Sequence, residues 1–105
     1  MTVLDEIAGE RRRQIEVEGW TPAHDDQQYR GELAMAAAAY AYAAGVEDMK
    51  RAPYVGGRLA PRGWPWAFEW WKPTDRRRDL IKAAALIVAE IERLDRAAQE
   101  TPDAP

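Results

Sequence analysis

The sequence predicts a small all-α domain with about three main helices and a long, structured, tryptophan-rich loop before the last helix. Apolar residues recur at helical spacing in three segments, and no segment shows a convincing strand pattern. Glycine and proline mark the ends of these segments. With 105 residues the chain has room for one domain. We expect that domain over residues 1–100, with residues 101–105 as a frayed C-terminal tail.

The first two helices are predicted from sparse apolar spacing and from glycine. The first covers residues 4–18 and ends at Gly19, which tolerates the left-handed conformation of a helix C-terminus. A polar loop over residues 20–30 follows. The second helix begins at position 29 or 31 and ends near position 44, and it is rich in alanine. Its small side chains predict that a neighbouring helix packs closely against it.

The last helix has the strongest pattern, and it begins at a cap formed by Thr74 or Asp75 and ends near position 98. A stripe of larger apolar residues follows the 3.6-residue period, and such a stripe ordinarily faces the core. Its members are Leu80, Ala84, Ile87, Ile91 and Leu94, widened by Ile81 and Val88.

A long connection over residues 47–73 separates the second predicted helix from the last. Connections longer than about 12–15 residues are usually functional or disordered. This one carries four of the five tryptophans of the chain, Trp64, Trp66, Trp70 and Trp71. Because a disordered linker would lack this aromatic content, we expect its second half to be ordered, with a short helical turn at 67–71.

Composition excludes several function classes. Hydrophobic residues make up 47% of the chain and charged residues 31%, which is typical of a soluble globular protein. The net charge of −3 argues against general affinity for nucleic acid polymers. The absence of cysteine excludes disulfides and suits a cytoplasmic protein. No apolar run is long enough to span a bilayer, so no membrane partner is expected.

Aromatic and basic residues before the last helix suggest a ligand site. An indole face can stack on a nucleobase, worth about 1–3 kcal/mol per base. Lys72 and Arg76 lie at the start of the last helix, where an anion is favoured and arginine can hold phosphate in a bidentate fork. The alternative for the four tryptophans is core packing against the alanine-rich helix. The alternative for Arg76 is a structural ion pair with Asp25 or Asp26.

Further candidates come from the N-terminal half. Asp25 and Asp26 cap the second helix or pair with basic groups, accept hydrogen bonds from ribose hydroxyls, or hold a metal. Arg12 belongs to a run of three arginines on the first helix, most of which helical ion pairs explain, while one could reach the pocket. Trp20 follows that helix directly. The candidate ligand-binding set is Trp20, Asp25, Asp26, Trp64, Trp66, Trp70, Trp71, Lys72, Arg76 and Arg12.

Two segments at the ends of predicted helices carry motifs of a known kind. The first is Glu10-Arg11-Arg12-Arg13-Gln14-Ile15-Glu16-Val17-Glu18-Gly19-Trp20, followed by Asp25-Asp26. The second is Lys72-Pro73-Thr74-Asp75-Arg76. Together they resemble the RyR domain, the helical domain named for repeats in ryanodine receptors, which usually has tyrosine at the position of Thr74. The resemblance covers about residues 7–26 and 72–94. Between them an alanine-rich helix and the tryptophan-rich loop replace the family's usual loop.

The resemblance implies a compact helical domain that binds nucleotide-like ligands, and it does not imply an enzyme. We expect no catalytic residues, cofactor or metal, and the single histidine, His24, argues against a histidine-ligated metal site. The chain is also similar to phage-encoded accessory proteins. These likenesses suggest sequestration of a nucleotide immune signal, such as an ADP-ribose derivative or a cyclic nucleotide. We also expect a homo-oligomer, because the core of so short a chain is thin.

Two other functions remain open from the sequence. A MazG-like Mg²⁺-dependent nucleotide pyrophosphohydrolase would need several carboxylates on neighbouring helices, and Glu32, Asp79 and Glu90 are available. However, Asp79 and Glu90 are about three helical turns apart, and the doublet motif of that class is absent. The other alternative is an accessory protein that inhibits a host protein by direct binding through its aromatic residues.

Overall fold

The computed structural model describes residues 1–100, and all of their regular secondary structure is helical, which confirms the predicted all-α class. The predicted tail at 101–105 lies outside the described residues. No helix in the described part is long and apolar enough to cross a membrane. The helices are α1 Val3–Glu16, α2 Pro22–Asp26, α3 Glu32–Gly45, α4 Asp48–Val55 and α5 Arg76–Glu100, with a 3₁₀ turn at Phe68–Trp70.

Two short helices occupy segments that were expected to be loops. The polar loop contains α2, where the Thr21 side chain accepts a hydrogen bond from the His24 backbone and Pro22 takes the first helical position. The long connection contains α4, even though Pro53 lies within it. Because proline has no backbone N–H, one hydrogen bond of the helix is missing at this position. The Arg51 side chain fastens α4 to the core and so helps to hold it in place.

The core lies mainly between α3 and α5, which pack against each other more extensively than any other helix pair described. Leu33 and Leu86 are fully buried at this contact. Most of the other side chains at the contact between α3 and α5 are alanines, as the composition of the second predicted helix led us to expect. Because alanine side chains are short, the helices can approach closely. The buried alanines are Ala36, Ala37, Ala39, Ala43 and Ala44 on α3, and Ala83, Ala85 and Ala89 on α5.

The larger aliphatic residues of α5 do not face this core, which corrects the expectation for the stripe. Leu80, Ile87, Ile91 and Leu94 are between 48% and 52% exposed, whereas Ile81 is buried. The alanine side of α5 packs on the alanine side of α3, so the stripe lies on the opposite side of α5. We call Leu80, Ala84, Ile87, Ile91 and Leu94 the outer face of α5.

Two arginines bind the backbone carbonyl groups at the end of α3. Arg51 donates to the carbonyl oxygen of Ala43 and forms a buried ion pair with Asp79, with Nη2 and Oδ2 2.8 Å apart. Arg76 donates to the carbonyl oxygens of Ala44 and Val46. The last carbonyls of a helix lack intrahelical partners and carry partial negative charge, so guanidinium groups stabilise them.

Candidate functional site

A cleft of about 590 Å³ lies between the α1–α2 connection and the aromatic loop, residues 64–71. Three indoles contribute to its wall, and polar side chains from the other side of the cleft complete it. We call it the aromatic cleft; its lining residues are Glu18, Trp20, His24, Gln28, Pro65, Trp66, Ala67 and Trp70.

The aromatic loop divides its four tryptophans between the core and the cleft. Trp71 is only 5% exposed and donates its indole N–H to the carbonyl oxygen of Tyr54, 3.0 Å away. Trp64 packs edge-on against Trp71 and Tyr40, with ring centroids 5.1 Å and 5.6 Å apart. These two tryptophans fill the volume left beside the small residues of α3 and hold the aromatic loop against the core.

Trp66 and Trp70 instead line the cleft. The Trp66 indole N–H donates to Gln28 Oε1 at 2.9 Å, which joins the aromatic loop to the segment after α2. Trp66 also lies 5.5 Å from Trp20, centroid to centroid, and the Trp20 ring is nearly parallel to that of His24. Trp70 is 42% exposed, so part of its ring is available to a ligand.

Charge at the edge of the cleft comes from Glu18 and Lys72. Glu18 accepts a hydrogen bond from Arg13 at 3.0 Å, and its other oxygen lies 3.8 Å from the Lys72 ammonium. That ammonium also lies 5.3 Å from the centre of the Trp70 ring, within cation–π range. The cleft therefore offers a carboxylate, an ammonium and an exposed indole close together.

The buried carboxylate of Glu10 lies close to Glu18 and Lys72. Glu10 is 2% exposed and accepts hydrogen bonds from Arg13, Gln14 and Arg78. Burial alone would raise the pKa of Glu10, but hydrogen bonds from Arg13 and the nearby positive charges hold it below its usual value. Because Arg78 belongs to α5, its contact with Glu10 also links α1 to the last helix.

Asp25 and Asp26 lie outside the cleft and form ion pairs, one of the outcomes considered from the sequence. Asp25 is fully buried, 2.7 Å from Arg11 Nη2, and Asp26 binds Arg96 at 2.8 Å. Burial raises the pKa of Asp25, although the charge of Arg11 opposes that shift. Neither aspartate pairs with Arg76, so the expected alternative partner of that arginine is not found.

Arg76 and Arg12 also lie away from the aromatic cleft, which corrects their expected placement. Arg76 turns toward the end of α3 and binds Asp48 at 2.7 Å, because carbonyl oxygens and a carboxylate meet there. Arg12 lines a separate groove between α1 and α5. Of the ten predicted ligand-binding residues, the cleft brings together Trp20, Trp66 and Trp70, with Lys72 at its edge.

Three polar lining residues were missed by sequence reasoning, namely Glu18, His24 and Gln28. A signal for His24 existed: Thr21-Pro22 is typical of a helix start, and a helix there places His24 one turn after Trp20. No comparable signal marks Gln28, which reaches the cleft through a contact 38 residues away in the chain.

The carboxylates considered for a metal-dependent enzyme are occupied by other groups. Asp79 binds Arg51 and the backbone N–H of Thr74, Glu90 binds Arg93, and Glu32 accepts from the Arg30 backbone. Within residues 1–100, no group of three or more His, Cys, Asp or Glu side chains is arranged to hold a metal ion.

No family model, curated protein or solved structure matches this chain. Inferences about its function therefore depend on the geometry described above and on the resemblance of its two short segments.

Proposed function

We propose that this domain binds a small nucleotide-derived ligand in the aromatic cleft without converting it chemically. The observation that carries the proposal is the convergence of Trp20, Trp66 and Trp70 on one concave site. Its volume of about 590 Å³ lies within the roughly 300–1,000 Å³ of small-molecule pockets. Indole faces bind planar heterocycles of any base type, because every base has a π-face.

Each part of such a ligand has a complementary group in the cleft. The base stacks on Trp70, the most exposed of the three tryptophans that line the cleft. Glu18 accepts hydrogen bonds from ribose hydroxyls, which is the role predicted from the sequence for Asp25 and Asp26. Lys72 contacts phosphate, since its ammonium stands beside both Trp70 and Glu18.

This assignment replaces the phosphate role that Arg76 was first given. The guanidinium of Arg76 is engaged by two carbonyl oxygens and a carboxylate, and moving it would leave the end of α3 without those partners. A single lysine at an exposed edge holds phosphate less firmly than an arginine fork. We therefore expect most of the affinity to come from stacking.

The biological form that we propose is sequestration of a nucleotide signal, such as an ADP-ribose derivative or a cyclic nucleotide, in the cytoplasm of a bacterial host. The resemblance to the RyR domain and to phage accessory proteins supports this form. A binder of that kind needs a cleft that holds a ligand, and it needs no catalytic group.

The test is isothermal titration of the purified protein with adenosine, AMP, cyclic AMP, cyclic GMP and ADP-ribose. The critical variant is Trp70→Ala, and the matched control is Phe68→Ala, an equally exposed aromatic in the same turn that does not line the cleft. Loss of one stacking partner predicts about 5- to 150-fold weaker binding for Trp70→Ala. Phe68→Ala should bind like the unmodified chain.

Three results would overturn the proposal. Binding of none of these ligands would remove it and favour direct inhibition of a host protein. Equal loss in both variants would place the site elsewhere on the loop. Recovery of a monophosphate after incubation with a nucleoside triphosphate and Mg²⁺ would favour the pyrophosphohydrolase.

A further inference from the structure

The outer face of α5 is an apolar surface whose large side chains stay about half exposed within residues 1–100. Its members are spaced by four, three, four and three residues, the alternation found along the seams of paired helices. A groove of about 360 Å³ beside it continues the apolar surface onto α1. Apolar lining residues of that groove are Leu4, Ile7, Ala8, Ile15 and Val88.

The surface is large for a chain of this length. From Leu80 to Leu94 it extends about 21 Å along the helix. With the exposed side chains of Val3 and Leu4, its large aliphatic residues present on the order of 500 Å² of apolar area, near the upper end for a monomeric protein. The largest apolar patch on a monomer is often functional, and a contact with another macromolecule is one such function.

We infer that the partner is a second copy of this chain, with the two α5 helices packed antiparallel along their outer faces. Charge along α5 supports this choice. Residues 76–82 carry Arg76, Arg77, Arg78 and Lys82 against one acidic residue, Asp79, whereas residues 90–100 carry Glu90, Glu92, Asp95 and Glu100 against Arg93 and Arg96. Several of these groups also pair within the chain, as Arg77 does with Glu6 and Glu90 with Arg93, so they set the direction of the partner helix more than the affinity. An antiparallel copy brings each basic end beside an acidic end, whereas a parallel copy would bring like charges together.

The same arrangement has the symmetry of the commonest protein dimers. A two-fold axis near the middle of the outer face, close to Ile87, makes every contact occur twice and closes the assembly at two chains. Antiparallel helices also oppose their macrodipoles favourably. None of the residues of the outer face lines the aromatic cleft, so both copies keep the cleft open. The dimer therefore does not depend on the proposed function.

Sedimentation equilibrium tests the dimer directly. The unmodified chain should sediment as a dimer at micromolar concentration, and Ile87→Glu should sediment as a monomer. Because Ile87 is already half exposed, the helical circular dichroism of the variant should be unchanged. The matched control is Met49→Glu on α4, where the side chain is 87% exposed and outside the proposed interface; it should remain a dimer. An unmodified chain that sediments as a monomer would overturn the inference, as would a dimer that Ile87→Glu leaves intact.

Cross-linking tests the direction of the helices, since the chain has no cysteine of its own. Leu80→Cys and Leu94→Cys chains would be treated with a short bismaleimide, first separately and then mixed. The antiparallel dimer predicts covalent dimers in the mixture and few in either variant alone. Efficient linking of Leu80→Cys chains to each other would instead show a parallel pair and overturn the arrangement.

Discussion

The aromatic cleft and the outer face of α5 both expose large apolar side chains, and they differ in shape and chemistry. The cleft is concave and places indole rings beside a carboxylate, an amide and an ammonium group. The outer face of α5 is convex and aliphatic, and charged residues lie toward its ends. A small planar molecule can be surrounded in the first, while the second offers nothing to orient one.

The difference also concerns what supports each region. The cleft depends on polar contacts between distant segments, such as Trp66 with Gln28 and Glu10 with Arg78. The outer face of α5 depends on alanine packing between α3 and α5 on the opposite side of the helix. Changes in packing and changes in charge should therefore affect the two regions separately.

The largest expected effect separates the two sides of α5. Leu86 is fully buried and Leu80 is half exposed, although both are leucines on one helix. Leu86→Ala should lower the free energy of unfolding by about 2–5 kcal/mol, because it leaves a cavity against α3. Leu80→Ala should cost the monomer less than about 1 kcal/mol. Urea unfolding of both variants at low protein concentration measures the difference; equal losses would mean that α5 is rotated from the orientation described.

The orientation of α5 about its axis is one part of the fold that the sequence did not predict, as are the short helices α2 and α4. Periodicity identifies residues that share a face of a helix, and it correctly grouped Leu80, Ile87 and Ile91. It does not say which face is buried when the opposite face is alanine-rich, because alanine is compatible with both close packing and exposure. The usual preference for burying the larger residues failed here, and the alanine-rich surface of α3 decided the orientation.

The candidate site was predictable in part for a similar reason. The clustering of tryptophans correctly indicated an ordered loop, and adjacent positions such as Trp70 and Trp71 must point in different directions. Trp71 faces the core because it contacts Tyr54 and Tyr40, both far away in the chain, and Trp70 is left to face the cleft. Arg76 was misplaced because the end of α3, its actual partner, is 30 or more residues away.

Acid should act on the aromatic cleft, because the buried carboxylate of Glu10 lies beside it and links α1 to α5. The folded-state pKa of Glu10 lies below its usual 4.5, so its stabilising contribution is complete above that pH. The contribution is lost as the pH falls through the lowered value. Hydrogen bonds to a charged group suggest a loss of about 1.5–3 kcal/mol.

Tryptophan fluorescence and helical circular dichroism, followed together during an acid titration, measure this effect. Fluorescence should change first, because the contacts of Glu10 near Trp20 and Trp70 loosen while α3 and α5 remain helical. In Glu10→Gln the early fluorescence change should be absent. Coincident loss of both signals in the unmodified chain would show that the cleft and the helix pair unfold as one unit.

The smallest expected effect concerns the ammonium group at the edge of the cleft. Lys72 is exposed, and its contacts with Glu18 and Trp70 are each worth no more than about 1 kcal/mol at such a site. Lys72→Gln should therefore leave stability nearly unchanged. If Lys72 meets phosphate, affinity for AMP should fall about 5-fold while affinity for adenosine stays constant, and the exposed Lys50→Gln on α4 serves as control. An equal loss of affinity for AMP and adenosine would mean that Lys72 acts by orienting Trp70. The phosphate would then have to lie elsewhere.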